Sequence, residues 1–317
     1  MRLLALLLAA AVSLPAIAQD WPARPVRIVV PYAPGGNTDS IARITAERLS
    51  STLGQQFIAE NRPGAAGFIA AEFVAKAPPD GYTLFMGTLT QISSAPYTNK
   101  LRYDPVKDFA PISVIGTNPF VIAISAALPA KTMAEFVEHV KANAGRLNYG
   151  SGGTGGLTHL SGALFLQRAG LQMTHVPYKG GAPALTDLLG GQIQMYSGSP
   201  SELLPHLQAG KLRVIGISSP TRSKHMPDVP AIAEAYSGHS AITWNGLLAP
   251  AKTPPAIVER ISAEIQKAMR DPAFTARLDR IGVDPVLHTP AEFAQQIQRE
   301  MVQWQRVIEA AGIKPEE

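Results

Sequence analysis

The sequence predicts an α/β protein of two lobes, each a mostly parallel sheet flanked by helices, with a ligand cleft between them. Three observations predict it. Short apolar strands alternate with helices, the arrangement that covers both faces of a parallel sheet. One plan, strand then glycine loop then helix, occurs twice, in RPVRIVVPYAPGGNTD (24–39) and GRLNYGSGGTGGLTHLSG (145–162). Finally, 317 residues with 46% hydrophobic and 16% charged positions are too many for one small core and too apolar for disorder.

In chain order, a strand at 26–31 runs through Gly35-Gly36 into a helix at 39–53, where Ile41, Ile44 and Leu49 recur at helical spacing. A strand at 57–60 and the turn Asn61-Arg62-Pro63-Gly64 lead to a small-residue helix at 68–76. Pro78-Pro79-Asp80-Gly81 then turns the chain into a strand at 82–87. From Phe120 the pattern restarts. Thr132 and Glu135 make a capping box for a helix ending at Gly145, and the second glycine loop leads on to strands at 173–176 and 212–217. Around 244–250 the chain returns to the first lobe. A helix at 254–270 opens on tandem proline, and Thr289 with Glu292 caps a last helix reaching Ala311. The expected division is 19–121 plus 243–317 for the first lobe and 122–242 for the second. A chain that crosses and returns implies a hinged cleft.

The start, Arg2, an apolar run over 3–12, then Pro15 and Ala16-Ile17-Ala18, reads as a secretory signal over 1–18 cleaved after Ala18. No later apolar run approaches the roughly 20 residues of a membrane span. With no cysteine in the chain there is no disulfide, thiolate catalyst, Cys metal site or lipid-attachment cysteine. An exported, unlipidated chain fits a Gram-negative periplasm. Net charge is +4, the charges are interspersed, and no basic stripe points to nucleic acid.

A helix that starts on a glycine loop leaves free N–H groups, and its dipole favours negative charge there. Two such starts facing each other would grip an anion. Gly150-Ser151-Gly152-Gly153-Thr154-Gly155 fits the dinucleotide pattern, but Thr174, His175 and Val176 stand where the acidic ribose ligand belongs. The favoured reading is an N–H cradle for a carboxylate, with a plain tight turn as the competing one. Pro34-Gly35-Gly36-Asn37-Thr38-Asp39 lacks the Gly-Lys-Ser/Thr ending of a phosphate loop. Asp39 reads first as an acid biasing the first helical turn, and His159 as a packed residue more often than a ligand contact. Lys179 in Tyr178-Lys179-Gly180-Gly181 reads equally as an anion partner and as a surface lysine. Met195-Tyr196-Ser197-Gly198-Ser199-Pro200 is a third strand-to-turn junction, whose hydroxyls are candidates to read the far end of a ligand. The seven histidines show no metal-binding helical spacing and no serine sits in a nucleophile elbow. The expectation is therefore no catalytic residue, no metal and no cofactor.

Ordered blocks across the chain resemble one family: RPVRIVVPYAPGGNTDSIAR (24–43), ENRPGAAG (60–67), PDGYTL (79–84), YDPVKDFAPIS (103–113), NYGSGGTGG (148–156), HVPYKGGAPALTDLLGGQIQM (175–195), AGKLRVIGI (209–217) and PDVPAIAEA (227–235). The family is the periplasmic solute-binding proteins of tripartite tricarboxylate transporters, the Bug proteins. The resemblance implies a two-lobed periplasmic-binding-protein fold of type II-like form. It implies a monomer that closes on a small carboxylate without catalysis and delivers it to membrane permease subunits. Carried over, the proximal carboxylate falls to Ala33, Pro34, Gly35, Gly36, Thr38 and Asp39, facing Ser151, Gly152, Gly153, Thr154 and His159. Thr88, Thr90, Gln91, Tyr178, Lys179, Ser197 and Gly198 are the weaker carry-overs. Two departures bear on specificity. This chain has Thr88-Leu89-Thr90-Gln91-Ile92-Ser93 where many relatives read Thr-x-Gly-Thr-His-Ala, and Ser197 where many carry Asp. The second favours a mono- or dicarboxylate, aromatic acids included, over an amino acid. A ligand sensor for a signalling receptor and an exported carboxylate-ester hydrolase are the alternative functions.

Overall fold

The structure, a computed structural model, describes residues 21–310. The secretory signal expected over 1–18 and the helix end expected at Ala311 lie outside the described residues. Among the described residues no helix is long and apolar enough to cross a membrane.

The chain opens with β1 (Val26–Val30), α1 (Asn37–Leu53), β2 (Phe57–Asn61), α2 (Phe68–Ala75) and β3 (Thr83–Thr88). A π-helical turn at Thr90–Ser94 and the short α3 (Ala95–Thr98) precede the long β4 (Phe109–Pro119). Then come β5 (Val121–Ser125), α4 (Met133–Ala142), β6 (Asn148–Ser151), α5 (Leu157–Ala169), β7 (Thr174–Pro177), α6 (Gly181–Leu189), β8 (Met195–Gly198), α7 (Pro200–Gln208), β9 (Leu212–Ile217) and α8 (Ile232–Ala235). The chain ends in β10 (Ile242–Pro250), α9 (Pro255–Met269), α10 (Pro272–Asp279), β11 (Asp284–Pro285) and α11 (Pro290–Ala310).

The strands form two sheets, β11-β4-β10-β3-β1-β2 and β7-β6-β8-β5-β9. Each sheet is covered on both faces. Val26, Ile28 and Val30 pack with Ile41, Leu49 and Ile261 on one side of the first sheet. Val29 joins Phe85, Trp244 and Phe293 on the other. That split follows from the period-2 alternation of a strand. In the second sheet, Ile122 and Ile124 join Phe136 and Phe165, while Val121 and Ala123 join Leu185 and Leu188.

Both sheets are mixed rather than mostly parallel. β1 pairs parallel with β2 and β3, and β6 pairs parallel with β7 and β8. β10, however, is inserted antiparallel between β3 and β4, and β5 lies antiparallel to both β8 and β9. The cause is the double crossing. β4 leaves the first lobe and β10 enters it, so side by side they run in opposite directions; β5 and β9 repeat this in the second lobe. Alternation along the sequence carries no record of such pairings. β4 itself is weakly marked, because Pro111 and Gly116 interrupt its apolar pattern.

The two crossing segments are tied together. Ser218 N–H donates to Phe120 O at 2.7 Å, Ala241 N–H to Ser218 O at 2.8 Å, and Phe120 N–H to Ala241 O at 3.4 Å. Beneath them runs a buried hydroxyl chain, in which Ser197 Oγ donates to Ser161 Oγ (2.9 Å), which lies 3.2 Å from Ser218 Oγ. His239 Nε2 closes the chain at 3.2 Å from Ser218 Oγ.

Candidate ligand-binding site

Four helix starts open onto one cavity of about 360 Å³. Gly36, Asn37 and Thr38 line it from α1, Gly156, Leu157 and Thr158 from α5, Gly180 and Gly181 from α6, and Ser199 and Glu202 from α7. Among the described residues that line it there is no lysine, arginine or histidine. Any anion held here is held by backbone, hydroxyl and amide groups.

The caps explain why three of these starts, those of α1, α5 and α6, are available. The N-cap of α1 is Gly36 (φ −81°, ψ 174°) and that of α5 is Gly156 (φ −71°, ψ 160°), neither with a side-chain cap. The N-cap of α6 is Gly180, whose φ of 120° favours glycine. Ser, Thr, Asp or Asn at an N-cap would satisfy the N–H groups of the second and third helical residues; glycine leaves them open. Elsewhere the same chain uses side-chain caps. Thr132 accepts from Glu135 N–H at 3.2 Å, Asp271 from Ala273 N–H at 2.9 Å, and Thr289 from Glu292 N–H at 3.2 Å.

Asp39 braces the first glycine loop from behind and does not line the cavity. Its Oδ2 accepts from Gly35 N–H and Arg43 Nε, both at 3.0 Å, and its Oδ1 from Asn61 Nδ2 at 2.9 Å. Burial opposes ionisation of this carboxyl, but the bonds from Arg43, Gly35 and Asn61 outweigh it and hold the pKa below the ordinary 3.8. A depressed folded-state pKa contributes stability that is present above the unfolded value and is lost as pH falls through the folded one. The melting-temperature gap between wild type and Asp39→Asn should therefore be widest near pH 7 and narrow progressively below pH 3.8. A gap that does not change with pH would show that the charge of Asp39 contributes nothing.

Gln91 is also structural. It is fully buried. Its Nε2 donates to Tyr32 Oη (2.9 Å) and Ala66 O (2.6 Å), and its Oε1 accepts from Thr88 N–H (3.0 Å) and Thr88 Oγ1 (2.9 Å). One side chain thus clamps the loops after β1 and β3 and the turn at Ala66, which sits in the left-handed region at φ 50°. Tyr32, Ala66 and Thr88 line the cavity, as do Ala33, Pro34, Gly35 and Thr90.

The second glycine loop is folded largely onto itself. Gly152 N–H donates to Thr158 Oγ1 (2.8 Å), Gly153 N–H to Ser151 Oγ (3.2 Å) and Gly155 N–H to His159 Nδ1 (3.0 Å). Of this loop's candidates, Gly152 lines the cavity, while Ser151, Gly153, Thr154 and His159 stand outside its lining. His159 stacks on His175 at 3.8 Å between centroids, and burial followed by that neighbour brings its pKa down to about 3. It is neutral near pH 7, with Nδ1 accepting. Ser151 Oγ lies 2.7 Å from His175 Nε2, a spacing that suggests a nucleophile and base. Ser151 is fully buried and also bonded to both the N–H and the carbonyl of Gly153. That pair shapes the loop.

The remaining candidates take other roles. Tyr178 Oη donates to Asp187 Oδ2 at 2.7 Å, Lys179 is exposed, and Ser197 belongs to the buried hydroxyl chain. At Gly198 any Cβ would collide with the ring of Tyr196 and with Glu202. Sequence reasoning missed Asn118, Phe120 and Thr243, which reach the cavity from the crossing segments, and Glu202, while Tyr196 and Ser199 come from the strand-to-turn junction it had singled out. One signal for Glu202 was legible: Ser199 and Glu202 have capping-box spacing, and the box is formed.

The lobes meet across the cleft. Leu157 N–H at the start of α5 donates to Thr90 Oγ1 at 3.1 Å, and a Cβ on Gly153 would lie 3.3 Å from Ala66 Cβ. Lys224 Nζ from the second lobe also bonds Asp279 (3.0 Å) and Asp284 (3.1 Å) of the first. His225 joins those carboxylates in the one grouping of metal-ligand character among the described residues. Lys224 already supplies the positive charge there.

The description "Tripartite tricarboxylate transporter family receptor" matches residues 41–313. The chain is similar to protein BugT of Bordetella pertussis, at 34% identity over 96% of this chain and 94% of that one. Among solved structures it is similar to a Rhodopseudomonas palustris protein with adipate, at 35% identity and TM-score 0.91 over 94% of this chain and all of that one. It is also similar to MatC of the same organism with bound malate, at 33% identity and TM-score 0.84 over 91% of this chain and all of that one. The matched span, the shared two-lobed architecture and these identities establish that the chain belongs to the tripartite tricarboxylate transporter receptor family, the Bug proteins, a family of periplasmic solute-binding receptors.

Proposed function

We propose that this chain is exported to the periplasm, binds a small carboxylate between its lobes and hands it to the membrane components of a tripartite tricarboxylate transporter. The observation that carries the reading is the convergence of glycine-capped helix starts on a cavity with no cationic side chain among its described lining residues. A helix N-terminus stabilises an anion by about 0.3–1 kcal/mol when exposed and up to about 2 kcal/mol when partly buried, so closure over the ligand is what makes the starts effective. Tyr32, Phe120 and Leu185 supply apolar wall for the ligand's body. The dicarboxylates named with two similar proteins support the carboxylate class.

A thermal-shift screen of residues 19–317 against mono-, di- and tricarboxylates, aromatic acids and amino acids tests it. A ligand at 100 times its Kd adds about 2.7 kcal/mol of stability. A selective rise with one acid class is the expected result; no rise with any acid refutes the carboxylate reading.

A further inference from the structure

We propose that Glu202 makes this cavity select carboxylates whose far end carries a hydrogen-bond donor, an ammonium or a hydroxyl, over dicarboxylates. The inference rests on the carboxylate-receptor reading above and sharpens it. Glu202 is the one carboxyl among the described lining residues. It belongs to the second lobe and α1 to the first, and both line the cavity, so a ligand seated at Gly36 has Glu202 and Tyr196 among the second-lobe groups within its reach.

The carboxyl is fixed there. Its Oε1 accepts from Ser199 N–H at 2.8 Å and from Tyr196 Oη at 3.1 Å, and the capping box sets its position at the start of α7. Glycines make the space it occupies, since a Cβ on Gly181 or Gly198 would strike both Tyr196 and Glu202. No cation compensates it within the lining. A second ligand carboxylate would meet this group with no positive charge between them, whereas a donor would meet an acceptor. Ser197, whose lack of a charge favoured acids without an amino group, is buried in the hydroxyl chain and faces Ser161.

Calorimetric titration with matched pairs tests this: succinate against 4-aminobutyrate, glutarate against 5-aminopentanoate, adipate against 6-aminohexanoate, with the ω-hydroxy acids alongside. The wild-type protein should bind the donor-bearing member of the best-fitting pair at least tenfold more tightly than its dicarboxylate. Glu202→Gln keeps the length and the helix cap and should shrink that ratio at least tenfold. Because the ratio is taken within one protein, a reduced folded fraction in the variant cancels. A wild-type preference for the dicarboxylates, or a ratio unchanged in Glu202→Gln, overturns the selectivity and leaves the receptor reading intact. Failure of every carboxylate to bind overturns both.

Discussion

Gly36→Asp should abolish carboxylate binding while making the unliganded protein more stable. Gly36 has the extended backbone of an N-cap, and an added Cβ would find no atom nearer than 3.8 Å. An aspartate fits there without strain and caps the N–H groups at the start of α1. A good side-chain cap in place of Gly gains only a few tenths of a kcal/mol in general, plus whatever the charge adds at the helix dipole. The same carboxylate then occupies the seat of the ligand's own. The expected outcome is a small rise in melting temperature without ligand and an affinity loss of at least 100-fold by titration. Opposite signs in the two measurements separate a blocked site from a damaged fold. A variant that binds normally would remove α1 from the site. The corresponding change at Gly152 is less clean, because a Cβ there lies 3.3 Å from the Gly180 carbonyl carbon.

Gln91→Ala should produce the largest loss of stability. The substitution strips the acceptor from Thr88 N–H and the donor from Ala66 O in a fully buried setting, and leaves a void. Each orphaned buried group costs about 1–3 kcal/mol, so a total of about 2–6 kcal/mol is expected for the two. At about 2.1 cal/mol/K of unfolding entropy per residue, that corresponds to roughly 3–10 °C in Tm for a chain of this size. Affinity should fall as well, since the clamp holds Ala66 and Tyr32 on the cavity wall. A Tm within a degree of wild type would show that the three loops hold their positions without Gln91.

Much of this architecture was legible because it is local. The apolar alternation at 26–31 and 82–87 and the capping pairs at Thr132 and Thr289 place strands and helices through neighbours a few residues apart. Both glycine loops could be read as helix starts on the same grounds. The candidates then divide in space. Those of the first loop reach the cavity apart from Asp39, while most of those of the second lie behind it, because that loop's N–H groups are taken by Thr158, Ser151 and His159. Whether a glycine N–H is free depends on which side chains fold back over it, and spacing alone does not report that.

The sequence by itself determined the locally marked elements, the two glycine-capped helix starts and the family. Each is written in residues close together in the chain or in blocks of fixed order. Only the tertiary structure decided that β10 enters antiparallel between β3 and β4, that Asn118 and Thr243 reach the cavity from the crossing segments, and that Glu202 stands in its wall. Those facts depend on contacts between segments far apart in sequence, and no local periodicity encodes which distant partner a strand or side chain will meet.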